Sequence, residues 1–138
     1  MEIKRVEEIK LSPKINESII ALLGVCFPNY PKGRSYYHQI PDYRLLAYED
    51  KKLVGQMSVD HRMMNISGKH AKVLGISDFC VHPKMRKKHI SSKMLLELEA
   101  FAKKYRIQFL VLSTSEPAFY KKHGFKSKNN ICKWLAVL

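Results

Sequence analysis

Four cations, Lys84, Arg86, Lys87 and Lys88, fall within five residues of the stretch "VHPKMRKKHISSKMLLELEAF", residues 81 to 101. They stand where an apolar run gives way to a helix-forming one. The start of a helix already carries partial positive charge, so cations there are mildly unfavourable unless an anion joins them. The chemistry this spacing suggests is therefore the binding of a phosphate-like group. The other reactive side chains are dispersed. Cys26, Cys80 and Cys132 form no CxxC pair, and the six histidines follow no HExxH or Cys/His spacing. These are read as three buried thiols in a reducing cytoplasm, with no structural metal.

The charge balance points the same way as the cation cluster. Lys and Arg total 25 against 12 Asp and Glu, a net charge of +13. Such an excess favours anionic partners, whether nucleic acid, anionic lipid or a polyphosphate ligand, without choosing among them. The 138 residues fit a single domain spanning 1–138, and 46% hydrophobic residues suffice for a core. No apolar run approaches the ~20 residues of a membrane span. The segment "MEIKRVEEIK" lacks the apolar centre of a signal peptide. A cytoplasmic protein without a membrane partner is expected.

Several elements must position the cation cluster. Residues 2–8 suggest a short strand. "SPKINESIIALLGVCF" reads as a helix capped by Ser12 with Pro13 in its first turn, and Ile15, Ile19, Leu22 and Leu23 keep helical spacing. Residues 28–41, with three prolines, form a loop. "RLLAYED" is a strand, and "LVGQMSVDH" alternates, with Met57 and Val59 on one face and Gln56, Ser58 and Asp60 on the other. "NISGK" is a hairpin turn. "HAKVLGISDFCVH" follows as a strand whose apolar phase slips beside Gly75, the sign of a bulge. A helix over 91–105 presents Met94, Leu95, Leu98, Phe101, Ala102 and Tyr105 on one face. "IQFLVLSTS" reads as a strand buried on both faces, "EPAFYKKHGF" as a short helix from Pro117 to Gly124, and "NICKWLAVL" as a closing strand. The sum is an α/β (α+β) sandwich in which helices cover a central mixed sheet.

This order and two motifs resemble the GNAT superfamily of acyl-CoA N-acyltransferases. The first motif is Arg86-Lys87-Lys88-His89-Ile90-Ser91 after "DFCVHP". The family pattern is Arg or Gln, two residues, Gly, one residue, then Gly or Ala, so His89 and Ser91 depart from it. The second is "SEPAFYKKHGF", similar to the family's late segment of a helix bearing Tyr, then Gly-Phe and a strand. The resemblance covers roughly residues 43–138. It implies a mostly antiparallel sheet splayed between its fourth and fifth strands. It also implies acetyl-CoA as acyl donor, with the amides of Lys87 to Ser91 around its pyrophosphate. A helix N-terminus with successive N–H groups suits that anion. Lys84, Arg86, Lys87, Lys88 and Lys93 would add charge-assisted contacts.

Acyl transfer to an amine needs a base for the ammonium, donors for the developing oxyanion and an acid for the thiolate. By resemblance, a backbone N–H near Cys80 or Val81 serves the oxyanion, Tyr120 lies near the sulfur of coenzyme A, and Ser113 joins the cofactor contacts. Asp78, on the strand face opposite Phe79 and Val81, is the candidate base. Asp60 and His82 are its rivals, and a water chain is a further route. Tyr30, Tyr36, Tyr37 and His38 would wall the acceptor site. The reading is an acetyl-CoA-dependent N-acetyltransferase acting on a primary amine of a small molecule or peptide, as a monomer or homodimer. The alternatives are a non-catalytic CoA-binding regulatory module and a basic nucleic-acid-binding domain. No nucleic-acid-binding motif supports the latter, and so large a positive charge argues against a polycationic acceptor.

Overall fold

A computed structural model describes residues 1–128; the expected closing strand, residues 130–138, and Cys132 lie outside the described residues. Five strands form one sheet in sequence order: β1 (Glu2–Glu7), β2 (Tyr43–Glu49), β3 (Lys52–Ile66), β4 (Lys69–Val81) and β5 (Phe109–Leu112). The first four run antiparallel, and β5 joins β4 in parallel. Helix α1 (Pro13–Cys26) precedes β2, α2 (Ile90–Lys104) crosses from β4 to β5, and α3 (Pro117–Lys122) follows β5. This is the mixed, mostly antiparallel sheet flanked by helices that the sequence suggests.

Local chemistry explains the turns. The β2–β3 connection places Asp50 and Lys51 at positive φ, and the β3–β4 connection does the same with Ser67 and Gly68. Two successive positive φ values are what a two-residue hairpin turn needs to match strand twist. Ser12 caps α1 by accepting the Ile15 N–H at 3.2 Å, with Pro13 beginning the helix. Gly124, at φ 86, ends α3: the Phe125 N–H reaches the Tyr120 carbonyl at 3.1 Å and the Gly124 N–H that of Lys121 at 3.1 Å. That is a Schellman closure, and the Tyr120 and Phe125 rings pack 5.6 Å apart across it.

Each face of the sheet has its own core. Helix α2 buries Met94, Leu95, Leu98 and Ala102 against Leu45, Ala47, Met57, Val59, Leu74 and Ile76. Helix α1 buries Ile19, Leu22 and Leu23 against Leu46 and Cys80. Tyr105, expected on the buried face of α2, is exposed beyond the end of that helix. The reading of β5 as buried on both faces also fails. It has four residues, Phe109 is 47% exposed and the other three are half-buried. An apolar run shows no periodicity from which to tell one covered face from two. Among the described residues, no helix is long and apolar enough to cross a membrane.

The bulge exists, but it lies three residues beyond Gly75. Gln56 pairs with Cys80 and Ser58 with Ser77, so Met57 alone faces Asp78 and Phe79. Before the bulge Leu74 and Ile76 face α2; after it Phe79 and Val81 do. Asp78 is the inserted residue, at φ 48. Gly75 stays in register with Asp60 and Val111 and lies under the Arg62 side chain: a Cβ would stand 2.6 Å from its guanidinium, which would have to swing aside.

Two other glycines give a paired test of this packing. A Cβ on Gly55 would stand 2.9 Å from the Met94 sulfur and 3.3 Å from the Ala47 side chain, whereas one on Gly24, exposed in the last turn of α1, meets nothing within 4 Å. Gly55→Ala is expected to destabilise the protein by about 1–3 kcal/mol through overpacking. Gly24→Ala is expected to stabilise it by about 0.5–1 kcal/mol through reduced unfolded-state freedom. Urea denaturation of both variants checks the pair of signs.

Candidate active site

The parallel pairing of β4 with β5 runs from Val73 with Phe109 to Ile76 with Leu112 and then stops, while β4 continues to Val81. Beyond Ile76 the two strands part. A cavity of about 540 Å³ occupies the opening, with Phe27, Tyr30 and Tyr37 on one wall, Ser77, Asp78 and Phe79 along the β4 edge, and Ser113 and Tyr120 on the other wall. The bulge is thus at the floor of the cleft, and its inserted residue is the carboxylate bearer Asp78.

Asp78 accepts a hydrogen bond from the Tyr30 hydroxyl at 2.9 Å. Burial pushes its carboxyl above the ordinary range, while the Tyr30 bond and the charges of Arg44 and His38 pull it down. Burial, followed by the bond to Asp78, pushes the Tyr30 phenol well above its usual value, which keeps it a donor. Across the cleft, Tyr120 is half-buried on α3, and burial, then the charge of Glu116, raises its phenol too. A carboxylate of enhanced basicity and a protonated phenol therefore share one cavity. One can take a proton and the other can give one.

The rival bases lie elsewhere. Asp60 is buried beside Arg62, 3.4 Å from its guanidinium, and His82 accepts the Lys84 N–H at 3.1 Å to cap a single 3-10 turn. Neither lines the cavity. Of the four expected wall residues, Tyr30 and Tyr37 do. His38 instead packs edge-on against Tyr37 at 4.0 Å, and Tyr36 lies under the Arg34 guanidinium at 5.3 Å.

The two backbone candidates for the oxyanion separate. The His82 N–H bonds the Val54 carbonyl at 2.7 Å, so in this antiparallel ladder the next pair, Gly55 with Val81, is not hydrogen-bonded, and the one after, Gln56 with Cys80, is. The Cys80 amide is thereby turned into the sheet, with its thiol in the α1 core, and the Val81 N–H is turned toward the cleft. The Val81 carbonyl, on the same edge, accepts Arg86 Nε at 3.3 Å and the Cys26 thiol at 3.5 Å.

The cation cluster forms the rim where β4 gives way to α2. Lys87 and His89 both have positive φ, 67° and 60°. His89 is the N-cap of α2 and gives no side-chain cap, and the first turn holds no acidic residue. The amides that open the helix thus face an electropositive surface with no internal anion. Lys84, Arg86, Lys87, Lys88 and Lys93 have no carboxylate partner among the described residues. The left-handed conformation at position 89 is one that glycine adopts at least cost. The imidazole is exposed there, and the left-handed conformation persists at a non-glycine residue. Ile90 is buried and anchors the turn, and Ser91 is half-buried behind it. A neighbouring hydroxyl, Ser92 Oγ, meets the His123 ring at 3.2 Å, tying the start of α2 to the end of α3.

Sequence reasoning passed over one part of the site. Arg44, fully buried in β2, bonds the Glu8 carboxylate with Nε at 2.7 Å and Nη2 at 3.0 Å, and Gln56 Oε1 with Nη1 at 3.2 Å. Gln56 in turn donates to the Asp78 carbonyl at 2.8 Å and the Ser58 hydroxyl at 3.0 Å. The available signal was an arginine opening the apolar run "RLLA" of a covered strand, since a buried guanidinium requires partners.

Comparison with known proteins agrees with this geometry. A family model described as an acetyltransferase (GNAT) domain matches residues 10–127. Among solved structures, a mutant BH1408 protein from Bacillus halodurans superposes with a TM-score of 0.75 at 13% identity, covering 99% of this chain and 100% of that one. An aminoglycoside acetyltransferase from an uncultured soil metagenomic sample gives 0.70 at 17% identity, covering 99% and 95%. Glucosamine-6-phosphate N-acetyltransferase from Arabidopsis thaliana gives 0.69 at 18%, covering 99% and 100%. No curated protein sequence matches significantly. At these identities the superpositions speak to the fold alone, and the family model carries the assignment: the chain belongs to the GNAT acetyltransferase family.

Proposed function

We propose that this acetyltransferase uses acetyl-CoA to acetylate a primary amine of a small molecule or peptide by direct transfer. The observation that carries the reading is the shared cavity: Asp78 and Tyr120 line one opening, and the uncapped, cation-rich start of α2 lies at the end of the same strand.

The cradle fits the donor. The amides of Lys87 to Ser91, with Arg86, Lys87 and Lys88 around them, hold the pyrophosphate of coenzyme A, and the Val81 edge of β4 receives its pantetheine arm. When bound, acetyl-CoA supplies an acetyl group already activated as a thioester. The chain's own residues do the rest. The Asp78 carboxylate takes the proton from the incoming ammonium, directly or through one water. Tyr30 holds that carboxylate in place. The Val81 N–H points where negative charge develops on the acyl oxygen. Tyr120 donates its phenolic proton to the departing sulfur.

The cavity also bears on the acceptor. Aromatic rings of Phe27, Tyr30, Tyr37, Phe79 and Tyr120 surround a single carboxylate, Asp78, among its lining residues. That pairing suits one cationic amine, attracted by aromatic faces and one negative charge. It gives no second anion to a polycation approaching a protein of net charge +13. The free thiols Cys26 and Cys80 accord with a reducing, cytoplasmic setting, and a monomer or homodimer serves this chemistry equally.

Two sets of variants and an acceptor screen test the reading. Arg86→Ala should weaken CoA binding by about 1–3 kcal/mol, the scale of a charge-assisted hydrogen bond, in isothermal titration calorimetry. His89→Gly should bind CoA at least as tightly and melt at a higher temperature, because left-handed backbone costs a non-glycine residue roughly 1–2 kcal/mol. An unchanged affinity in the arginine variant would remove Arg86 from the site.

Tyr120→Phe should lower the rate of acetyl transfer about 10²-fold, toward the low end of general-acid effects, with CoA affinity unchanged. A variant that turns over within twofold of the parent would make solvent the proton source. Both measurements need an acceptor, found by screening amines, amino acids, polyamines and peptides for acetyl-CoA-dependent thiol release. Monoamines are expected to lead the polyamines in that screen.

A further inference from the structure

Asp78 occupies an unusual position for a proton acceptor. It is the extra residue of a β-bulge, in left-handed backbone, and nothing in its own strand fixes which way its carboxylate points. Its orientation has to come from outside β4.

Two hydrogen bonds supply it. The Tyr30 hydroxyl donates to the carboxylate at 2.9 Å, and the Gln56 side-chain amide donates to the Asp78 backbone carbonyl at 2.8 Å. The second bond works only if Gln56 presents its nitrogen to β4. A primary amide has an acceptor end and a donor end, so a flip would set its oxygen against the Asp78 carbonyl oxygen. Arg44 prevents the flip. Its Nη1 donates to Gln56 Oε1 at 3.2 Å, and a flipped amide would face that guanidinium with a second donor.

Arg44 is itself held on its remaining sides. Glu8 takes two of its N–H groups, at 2.7 and 3.0 Å. The Ser35 hydroxyl, which donates to Asn16 Oδ1 at 2.7 Å, lies 3.4 Å from Nη2. Arg44 and Gln56 are both fully buried, so no water competes for these bonds. A chain of fixed contacts thus runs from Glu8 through Arg44 and Gln56 to the bulge.

We infer that Arg44 and Gln56 are positioning residues for acetyl transfer: the buried guanidinium fixes the orientation of the Gln56 amide, and that amide fixes the bulge that aims the Asp78 carboxylate at the acceptor amine. The inference rests on the proposed role of Asp78 as base. It assigns no contact with substrate to either residue.

The groups facing Asp78 define what a pH measurement reads. They are Tyr30 from the segment after α1, His38 from the loop before β2, and Arg44 from β2. Asp60 from β3 and Cys80 on β4 itself also feel the Asp78 charge. Burial holds the Asp78 carboxyl above its ordinary value. Releasing the bulge lets the carboxylate turn toward water, so its titration should move down toward that of a solvated aspartate.

The test compares Gln56→Met and Gln56→Glu with Asp78→Asn. Methionine keeps the length of the side chain without its donor. Glutamate still accepts from Arg44 but cannot donate to the Asp78 carbonyl. Each Gln56 variant is expected to lower kcat on the order of 10²-fold, the effect of a misplaced catalytic group, without changing the affinity for acetyl-CoA. In protein labelled at the aspartate carboxyl carbons, the NMR titration of Asp78 should shift down in Gln56→Met, and the acid limb of the rate profile with it; Gln56→Glu, whose added negative charge itself pushes the neighbouring carboxyl up, is read on kcat alone. A purely structural role would lower the melting temperature and leave the Asp78 titration in place, overturning the inference. Normal turnover by Asp78→Asn would remove the base and the inference together. An impaired Asp78→Asn beside a Gln56→Glu with parental kcat would overturn the positioning role alone.

Discussion

One extra residue in β4 is the constraint on which the site depends. An antiparallel ladder alternates its side chains strictly, so a strand without a bulge would keep one set of residues facing α2 along its whole length. The insertion at Asp78 changes that set from Leu74 and Ile76 to Phe79 and Val81. It also lies two residues beyond Ile76, whose pairing with Leu112 is the last between β4 and β5. The same irregularity that admits an off-pattern carboxylate therefore coincides with the start of the cleft. Bulges sharpen local twist, and a sharper twist carries the two strands apart.

Such an irregularity has to be stabilised. Left-handed backbone at a non-glycine residue costs roughly 1–2 kcal/mol, and a buried arginine is tolerated only when its charge and donors are matched. Here the two liabilities answer each other. Arg44 finds a carboxylate in Glu8 and an amide acceptor in Gln56, and Gln56 uses its other end on the bulge carbonyl. A fully connected network of this kind specifies one arrangement more sharply than apolar packing, because each member has a single satisfactory orientation. The opposite face of the sheet needs nothing similar: it meets α2 through Met57, Val59, Leu45 and Ala47, which have no polar groups to satisfy.

What the sequence made legible follows from how local each signal is. Ser12 before Pro13, Gly124 before Phe125 and the period of α2 are short-range patterns, and the elements formed where they pointed. Ser113 and Tyr120, gathered by resemblance, and Asp78, read from its strand face, line one cavity. The phase change in β4 was visible too, yet Gly75 drew the bulge toward itself. Glycine marks both a bulge and a close approach, and at Gly75 the structure shows an approach, the Arg62 guanidinium lying over it, and no bulge. The polar network was not legible. Glu8, Arg44 and Gln56 are widely separated in the chain and carry no motif, and their partnership exists only once β2 and β3 are in register.

The cation cluster and the carboxylate illustrate how one strand separates opposite electrostatic tasks. Asp78 lies in the cleft three residues before Val81 ends β4, with His82 and then Arg86 to Lys88 just beyond, so the negative and positive centres are held at the two ends of a short extended segment. Charges that far apart across a partly wet cleft are weakly coupled. The carboxylate keeps the raised basicity that burial gives it, largely undiminished by the lysines of the loop: Arg44 and His38 are the cations that lower it. An excess of positive charge can thus gather just beyond the end of β4 without neutralising a carboxylate three residues inside it. The separation has a length set by the strand itself, since each extended residue advances the chain by about 3.3 Å. The stretch of β4 that follows the bulge is thus what holds the carboxylate apart from the cations of the loop.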